Sequence, residues 1–186
     1  MAINVLEQEL HNLVKNLDYS LRLNKAKYVL LCSDREGEGK STFLASCLPL
    51  LADIYQKQIL IYDCQNGEDL IGATNKEIND PFIKKTAFAG VDYIHQDDLD
   101  FIKTAVTEDK VALANTHLVE IAKDYDVVFI NMKTLKRADK TTLPALPIDG
   151  AVLVRSKKSM GANSKPVTNE LLDREIPILG LVWNEV

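Results

Sequence analysis

The stretch of sequence that decides the fold is Ser33-Asp-Arg-Glu-Gly37-Glu-Gly39-Lys40-Ser41-Thr42. It follows an apolar segment with the character of a buried strand, residues 27–32, and it precedes a segment with helical spacing of apolar residues, 40–56. Glycines let the backbone turn its N–H groups toward an anion. The start of a helix adds unpaired N–H groups and the positive end of the helix dipole. Strand, glycine-rich turn and helix in this order therefore predict a phosphate-binding loop.

The side chains that end this loop are of the types that bind a nucleoside polyphosphate. Lys40 is expected to reach the β- and γ-phosphates, the Ser41 hydroxyl to ligate Mg²⁺, and Thr42 to bind an oxygen of the α-phosphate. The predicted nucleotide-binding residues of the loop are Gly37, Glu38, Gly39, Lys40, Ser41 and Thr42. The alternative is a strand–helix turn that contains these residues by chance and binds nothing.

The loop departs from the strict phosphate-binding pattern at its first position, where Asp34 replaces the usual glycine. Two interpretations of Asp34 and its neighbour Arg35 are open. They are charged groups that gate the site, or they are ordinary exposed loop charges.

Composition places the chain among single-domain soluble proteins. Its 186 residues are 46% apolar and 26% charged, and no linker rich in Pro, Gly or Ser divides them, so one domain is predicted over 1–186 with an N-terminal helix over 1–24. A net charge of −5 argues against nucleic acid as a partner. The three cysteines lack disulfide or metal spacing. With no apolar run near the roughly 20 residues of a membrane span and no signal-peptide pattern, we expect a cytoplasmic protein.

Short apolar segments alternate with helical patterns along the chain. Strands are predicted at 27–32, 58–62, 91–94, 126–131, 150–154 and 178–183, and helices at 3–23, 40–56, 97–105, 110–124 and 163–174. Continuous apolar strands between helices are typical of a parallel sheet covered on both faces. The predicted fold is therefore α/β, a three-layer P-loop NTPase with a mostly parallel central sheet, and Trp183 is expected in the core.

Segments along nearly the whole chain resemble those of the cytoplasmic domains of bacterial tyrosine kinases (BY-kinases) of polysaccharide export, within the MinD and ParA group of deviant P-loop ATPases. The similar segments are GEGKST at 37–42, ELHNLVK at 9–15 where the family has ExxRxxR, ILIYDCQ at 59–65 where it has hhhDxD, YDVVFIN at 125–131, DGAVLV at 149–154 and ILGLVWN at 178–184.

The resemblance implies roles for two further residues. Asp63 would be the catalytic base and would help Ser41 hold Mg²⁺, and Asn184 would lie near the base of a bound ATP or ADP. Two acidic positions of the family are amides here, Gln65 and Asn131. Because Mg²⁺ prefers carboxylate and water oxygens, the resemblance implies a degenerate member with a weakened Mg²⁺ site and slowed phosphoryl transfer.

The family also implies partners. These are a membrane polysaccharide co-polymerase or chain-length regulator, which would place the protein peripherally at the inner membrane, and other copies of the chain through the N-terminal helix. Glu9 is kept in that helix, whereas Asn12 and Lys15 replace arginines and remove their bidentate hydrogen bonds.

Four functions remain open at the level of sequence. The preferred one is a nucleotide-binding regulator of capsule or exopolysaccharide synthesis with weak or no kinase activity. The others are an active tyrosine kinase or slow ATPase that uses Asp63, a MinD- or ParA-type positioning ATPase, and an interaction domain without nucleotide. The third is disfavoured because Asp34-Arg-Glu-Gly37 lacks the signature lysine of that group.

Overall fold

The computed structural model of the chain describes residues 5–64, 72, 82–95, 98, 116–132, 148–157 and 165–184. The strands within these ranges are β1 (Tyr28–Cys32), β2 (Ile59–Asp63), β3 (Lys84–Lys85), β4 (Val91–His95), β5 (Val127–Asn131), β6 (Gly150–Ser156) and β7 (Ile178–Asn184). The helices are α1 (Val5–Leu23), α2 (Lys40–Asp53) and α3 (Lys165–Asp173), and residues 116–121 are also helical and lead into a 3₁₀ turn at Ala122–Asp124. The predicted helix at 97–105 lies outside the described residues, apart from position 98.

The strands form one sheet in the order β3-β4-β2-β5-β1-β6-β7. Every pairing is parallel except that of β3 with β4, which is antiparallel. Parallel neighbours end at the same edge of a sheet, so the carboxyl ends of β1, β2, β4, β5, β6 and β7 lie along one edge. The predicted α/β fold with a mostly parallel central sheet is confirmed. The two-residue strand β3 has no counterpart in the sequence prediction.

Helices cover both faces of the sheet. Val29 and Leu31 of β1 belong to the core beneath α1 and α2, whereas Leu30 and Cys32 belong to the core beneath α3 and residues 118–122. All five residues of β1 are buried, which is why the strand reads as a continuous apolar run rather than an alternating one. The three-layer arrangement is therefore built around β1, whose carboxyl end leads into the glycine-rich loop.

No glycine marks the ends of α1, α2 and α3, and the predicted ends of α2 and α3 lie beyond the observed ones. Lys25, Gln56 and Glu175 take left-handed backbone angles, with φ of 51°, 52° and 57°, after the ends of α1, α2 and α3. The chain closes each helix there with backbone hydrogen bonds that usually accompany glycine. The helix predicted at 40–56 therefore stops at Asp53. Within the described ranges, no helix combines the length and apolarity of a membrane span.

The prediction that Trp183 lies in the core is wrong. Trp183 is 40% exposed, and Ile178 and Leu181 of the same strand are similarly exposed. The reason is that β7 is the last strand in the sheet order, whereas apolarity alone suggested a strand covered on both faces. Trp183 nevertheless lies next to Asn184, which contacts the loop described below.

Candidate phosphate-binding site

Residues 33–39 join β1 to α2, and we call them the glycine loop. Gly37 and Gly39 have φ of 76° and 92°, in the region that side chains rarely adopt. Gly39 is also the N-cap of α2, so the unpaired N–H groups of the helix begin at this bend. A Cβ atom on Gly39 would lie 2.1 Å from the side-chain nitrogen of Asn184. The backbone angle favours glycine, and a Cβ here would displace the end of the Asn184 side chain.

Lys40 is folded into the loop rather than extended into solvent. The residue is 5% exposed, and its Nζ donates a hydrogen bond of 2.6 Å to Ser33 Oγ. Ser33 Oγ in turn donates to the carbonyl of Arg35 at 2.7 Å. Burial lowers the pKa of Lys40, an effect that nearby carboxylates, Glu38 among them, partly offset. An anion bound beside Lys40 would stabilise the charged form that burial disfavours.

The Glu38 side chain forms a hydrogen bond inside the glycine loop. The residue is 3% exposed, and its Oε2 accepts a hydrogen bond of 3.1 Å from the backbone N–H of Arg35. Its other carboxylate oxygen is buried without a hydrogen-bond partner. The carbonyl of Glu38 accepts a hydrogen bond of 3.2 Å from the side chain of Asn184. The loop is thus held in shape both by its own side chain and by the end of β7.

Asp34 is not the exposed loop charge that one interpretation supposed. Its side chain is 7% exposed, and its Oδ2 accepts a hydrogen bond of 2.6 Å from Nε of Arg155 in β6. Arg155 also donates to the hydroxyl of Thr168 in α3 at 2.9 Å. A buried ion pair therefore ties the first part of the glycine loop to the strand beside it. Arg35 is exposed, as one of the two interpretations supposed.

Asp63 is buried at the carboxyl end of β2, with 1% exposure. It pairs in register with Asn131 at the end of β5, and its Oδ1 accepts a hydrogen bond of 2.8 Å from the Asn131 amide. Its Oδ2 accepts a hydrogen bond of 2.9 Å from the hydroxyl of Tyr93 in β4. Both carboxylate oxygens thus bind donors on the neighbouring strands.

Tyr93 and Arg155 are the residues of this edge that sequence reasoning missed. Neither belongs to a motif, and each reaches the site only because of the order of the strands. Tyr93 lies opposite Ile61, two residues before Asp63, so it shares a face of the sheet with the carboxylate. Such a contact could be found from sequence only once β4 was known to lie beside β2.

The structure brings most of the predicted nucleotide-binding residues together. Ser41 and Thr42 lie in the first turn of α2, and Asn184 lies against Gly39. Asp63 is near enough to Lys40 to raise the pKa of the lysine, which burial lowers overall. Gln65 lies outside the described residues. Within the part of the chain that the structure describes, no group of three or more His, Cys, Asp or Glu side chains could hold a metal ion.

The parallel sheet, the glycine loop after β1 and the helix that follows it define the fold of a P-loop NTPase. No known family profile matches the sequence, and no curated protein sequence is detectably similar to it.

Solved structures do match. The kinase domain of the Escherichia coli tyrosine kinase ETK is 16% identical, with a TM-score of 0.68 over 95% of this chain and 75% of that one. A chimeric protein, CapA2B2, is 16% identical, with a TM-score of 0.71 over 98% and 86%. The septum-site-determining protein MinD of Pyrococcus horikoshii, solved with Mg-ADP, is 20% identical, with a TM-score of 0.59 over 85% and 70%. The chain therefore has the fold shared by bacterial tyrosine kinase domains and MinD-type ATPases.

Proposed function

We propose that this chain is a BY-kinase-like protein that binds ATP or ADP and regulates the synthesis or export of a capsule or exopolysaccharide, with weak or no kinase activity. The observation that carries the proposal is Lys40, which is enclosed in a fully formed glycine loop. Support comes from the two positive-φ glycines of the loop, the start of α2 and the Lys40 cation, features that suit a polyphosphate. In this proposal the nucleotide contacts residues 37–42 through its phosphates and Asn184 near its base.

The proposal of weak turnover rests on the other side of the site. Phosphoryl transfer depends on charges and metal ions placed around the transferring group. Asn131 brings no negative charge, and Asp63 already accepts hydrogen bonds at both oxygens. Ser41 and Asp63 are the candidate Mg²⁺ ligands, and we expect a weakened metal site. In this proposal the glycine loop holds the nucleotide as a signal, and the weakened metal site slows its consumption.

Nucleotide titration tests the binding half of the proposal. The sole tryptophan, Trp183, precedes Asn184, so its fluorescence is expected to change when Mg-ADP or Mg-ATP binds, and calorimetry provides an independent reading. Lys40→Ala should abolish binding while the circular dichroism spectrum is unchanged. Lys123→Ala removes an exposed lysine that lies before β5, at the far end of the sheet, and should bind as the natural protein does. Absence of a heat signal and of a fluorescence change in the natural protein would refute the proposal.

An active kinase or slow ATPase that uses Asp63 is the competing function, since the carboxylate is in place at the end of β2. Radiolabelled ATP incubated with the protein and a tyrosine-rich peptide separates the two. Label transfer that disappears in Asp63→Ala would favour the enzyme, whereas nucleotide binding without transfer would favour the regulator.

We also propose a membrane polysaccharide co-polymerase as partner, which would bring the protein to the inner membrane, and self-association through α1. Glu9, Asn12 and Lys15 are exposed along α1, where they are accessible to another copy. A cleft of about 400 Å³ lies between α1 and β7, with Leu13 and Val182 among its lining residues. Sedimentation velocity of the natural protein and of Glu9→Ala tests self-association, and an unchanged monomer in both would contradict it.

A further inference from the structure

The Asp63 carboxylate is surrounded by hydrogen-bond donors where a P-loop enzyme would place Mg²⁺ and its water molecules. A metal-binding carboxylate needs lone pairs that face the ion or its waters. Here Asn131 Nδ2 lies 2.8 Å from one oxygen and Tyr93 Oη lies 2.9 Å from the other. Both neighbours direct hydrogens toward the carboxylate, so one lone pair on each oxygen is taken and fewer remain for a hydrated ion.

These donors are fixed by the sheet. Tyr93 is fully buried, and its ring is stacked on that of His95 with centroids 6.5 Å apart. Asn131 is held at its backbone as well, because its carbonyl accepts a hydrogen bond of 2.9 Å from the N–H of Cys64. Rotating either donor away from Asp63 would require movement inside the core or at the paired strand ends.

The residues described at this edge offer Mg²⁺ little. Asp63 is engaged by two donors, and the residue paired with it on β5 is an amide, which brings no negative charge. We propose that Tyr93 and Asn131 are positioning residues that hold Asp63 for the protein itself and weaken the Mg²⁺ site so far that the cation no longer contributes to nucleotide binding. The nucleotide, whose binding is the proposed function on which this inference rests, therefore binds without requiring a metal.

Titration of ADP in Mg²⁺ and in EDTA tests the inference. The natural protein should bind ADP with nearly equal affinity in both buffers. Tyr93→Phe combined with Asn131→Asp removes both donors and adds a carboxylate. The double variant should gain a dependence on Mg²⁺ of at least about tenfold, the scale of groups that orient metal ligands. Tyr125→Phe is the matched control, since it removes a similar hydroxyl–carboxylate hydrogen bond, from Tyr125 to Asp92 at 2.7 Å. It should leave the Mg²⁺ dependence unchanged.

A second measurement does not involve nucleotide. Asn131→Asp places two carboxylates side by side in a buried site, so its thermal midpoint should fall and should recover when Mg²⁺ alone is added. The natural protein and Tyr125→Phe should show no such rise. A tenfold dependence of ADP binding on Mg²⁺ in the natural protein, or a double variant that gains none, would overturn the inference. If ADP binds under neither condition, the proposed function fails, and the Mg²⁺ melting series alone decides whether the two donors weaken the Mg²⁺ site.

Discussion

Gly39→Ala tests whether the glycine loop has the shape described here. Two separate costs are expected. A residue with a Cβ at a φ of 92° loses about 1–2 kcal/mol relative to its favoured conformations. The new methyl group would also lie 2.1 Å from Asn184 Nδ2, so the Asn184 side chain must move and lose its hydrogen bond to the Glu38 carbonyl, at about 1 kcal/mol. Gly39→Ala should therefore lower the free energy of unfolding by about 2–3 kcal/mol.

Gly37→Ala isolates the first cost. Gly37 also has a positive φ, of 76°, but no atom lies within 4 Å of the position of an added Cβ. Its substitution should therefore lower stability by only about 1–2 kcal/mol. In a protein that already carries Asn184→Ala, Gly39→Ala should lower the free energy of unfolding by the same amount, about 1–2 kcal/mol, because the Asn184 amide no longer obstructs the new methyl group.

Urea unfolding, monitored by circular dichroism, gives the free energy of unfolding of each of these variants. The decisive quantity is the coupling between positions 39 and 184, obtained from the double-mutant cycle. If Gly39→Ala is no more destabilising than Gly37→Ala, or if the cycle gives no coupling, then Asn184 does not lie against the loop.

Three further outcomes follow from charge and burial. Arg155→Met should lower the free energy of unfolding by about 3 kcal/mol because it leaves the buried Asp34 carboxylate unpaired, and adding Asp34→Leu should restore most of it; a loss below about 1 kcal/mol by urea unfolding would contradict the buried pair. Lys40→Met should raise the free energy of unfolding at neutral pH, because burial lowers the pKa of Lys40 and so disfavours its charged form. The gain should shrink as the pH approaches 10.5, the ordinary pKa of a lysine. A variant that is less stable in urea at neutral pH would argue against a buried ammonium. Iodoacetamide at mildly alkaline pH should label only Cys64 in the folded protein, because burial raises the pKa of both other thiols to about 12; mass spectrometry showing a second modified cysteine would refute this.

The parts of the fold that the sequence predicted are those carried by local pattern. Buried parallel strands are continuous apolar runs, and the loop at 33–39 combines glycines with a strand before and a helix after, so both were recognised without knowledge of tertiary contacts. Helix ends were less predictable. Gln56 takes a left-handed backbone conformation without being glycine, so the sequence contained no residue that marked the end of α2.

Contacts between strands could not be predicted, since they depend on sheet order. The pairing of Asp34 with Arg155 joins residues 121 positions apart. The contact of Tyr93 with Asp63 needs β4 beside β2, and the exposure of Trp183 needs β7 at the edge. Each of these facts follows from topology, whereas a motif search examines residues close together in the chain.

Different strands hold the phosphate-binding side and the metal-binding side of the candidate site. One side can therefore change while the other is kept. Backbone N–H groups and Lys40 on the β1–α2 side would bind phosphate, and Arg155 and Asn184 fix that side through β6 and β7. Metal chemistry would depend on Asp63, which Tyr93 fixes through β4 together with the amide at the end of β5. A carboxylate can therefore be withdrawn from metal binding without disturbing the loop. For that reason the affinity for nucleotide in EDTA should respond to substitutions at Lys40 and remain unchanged by Tyr93→Phe.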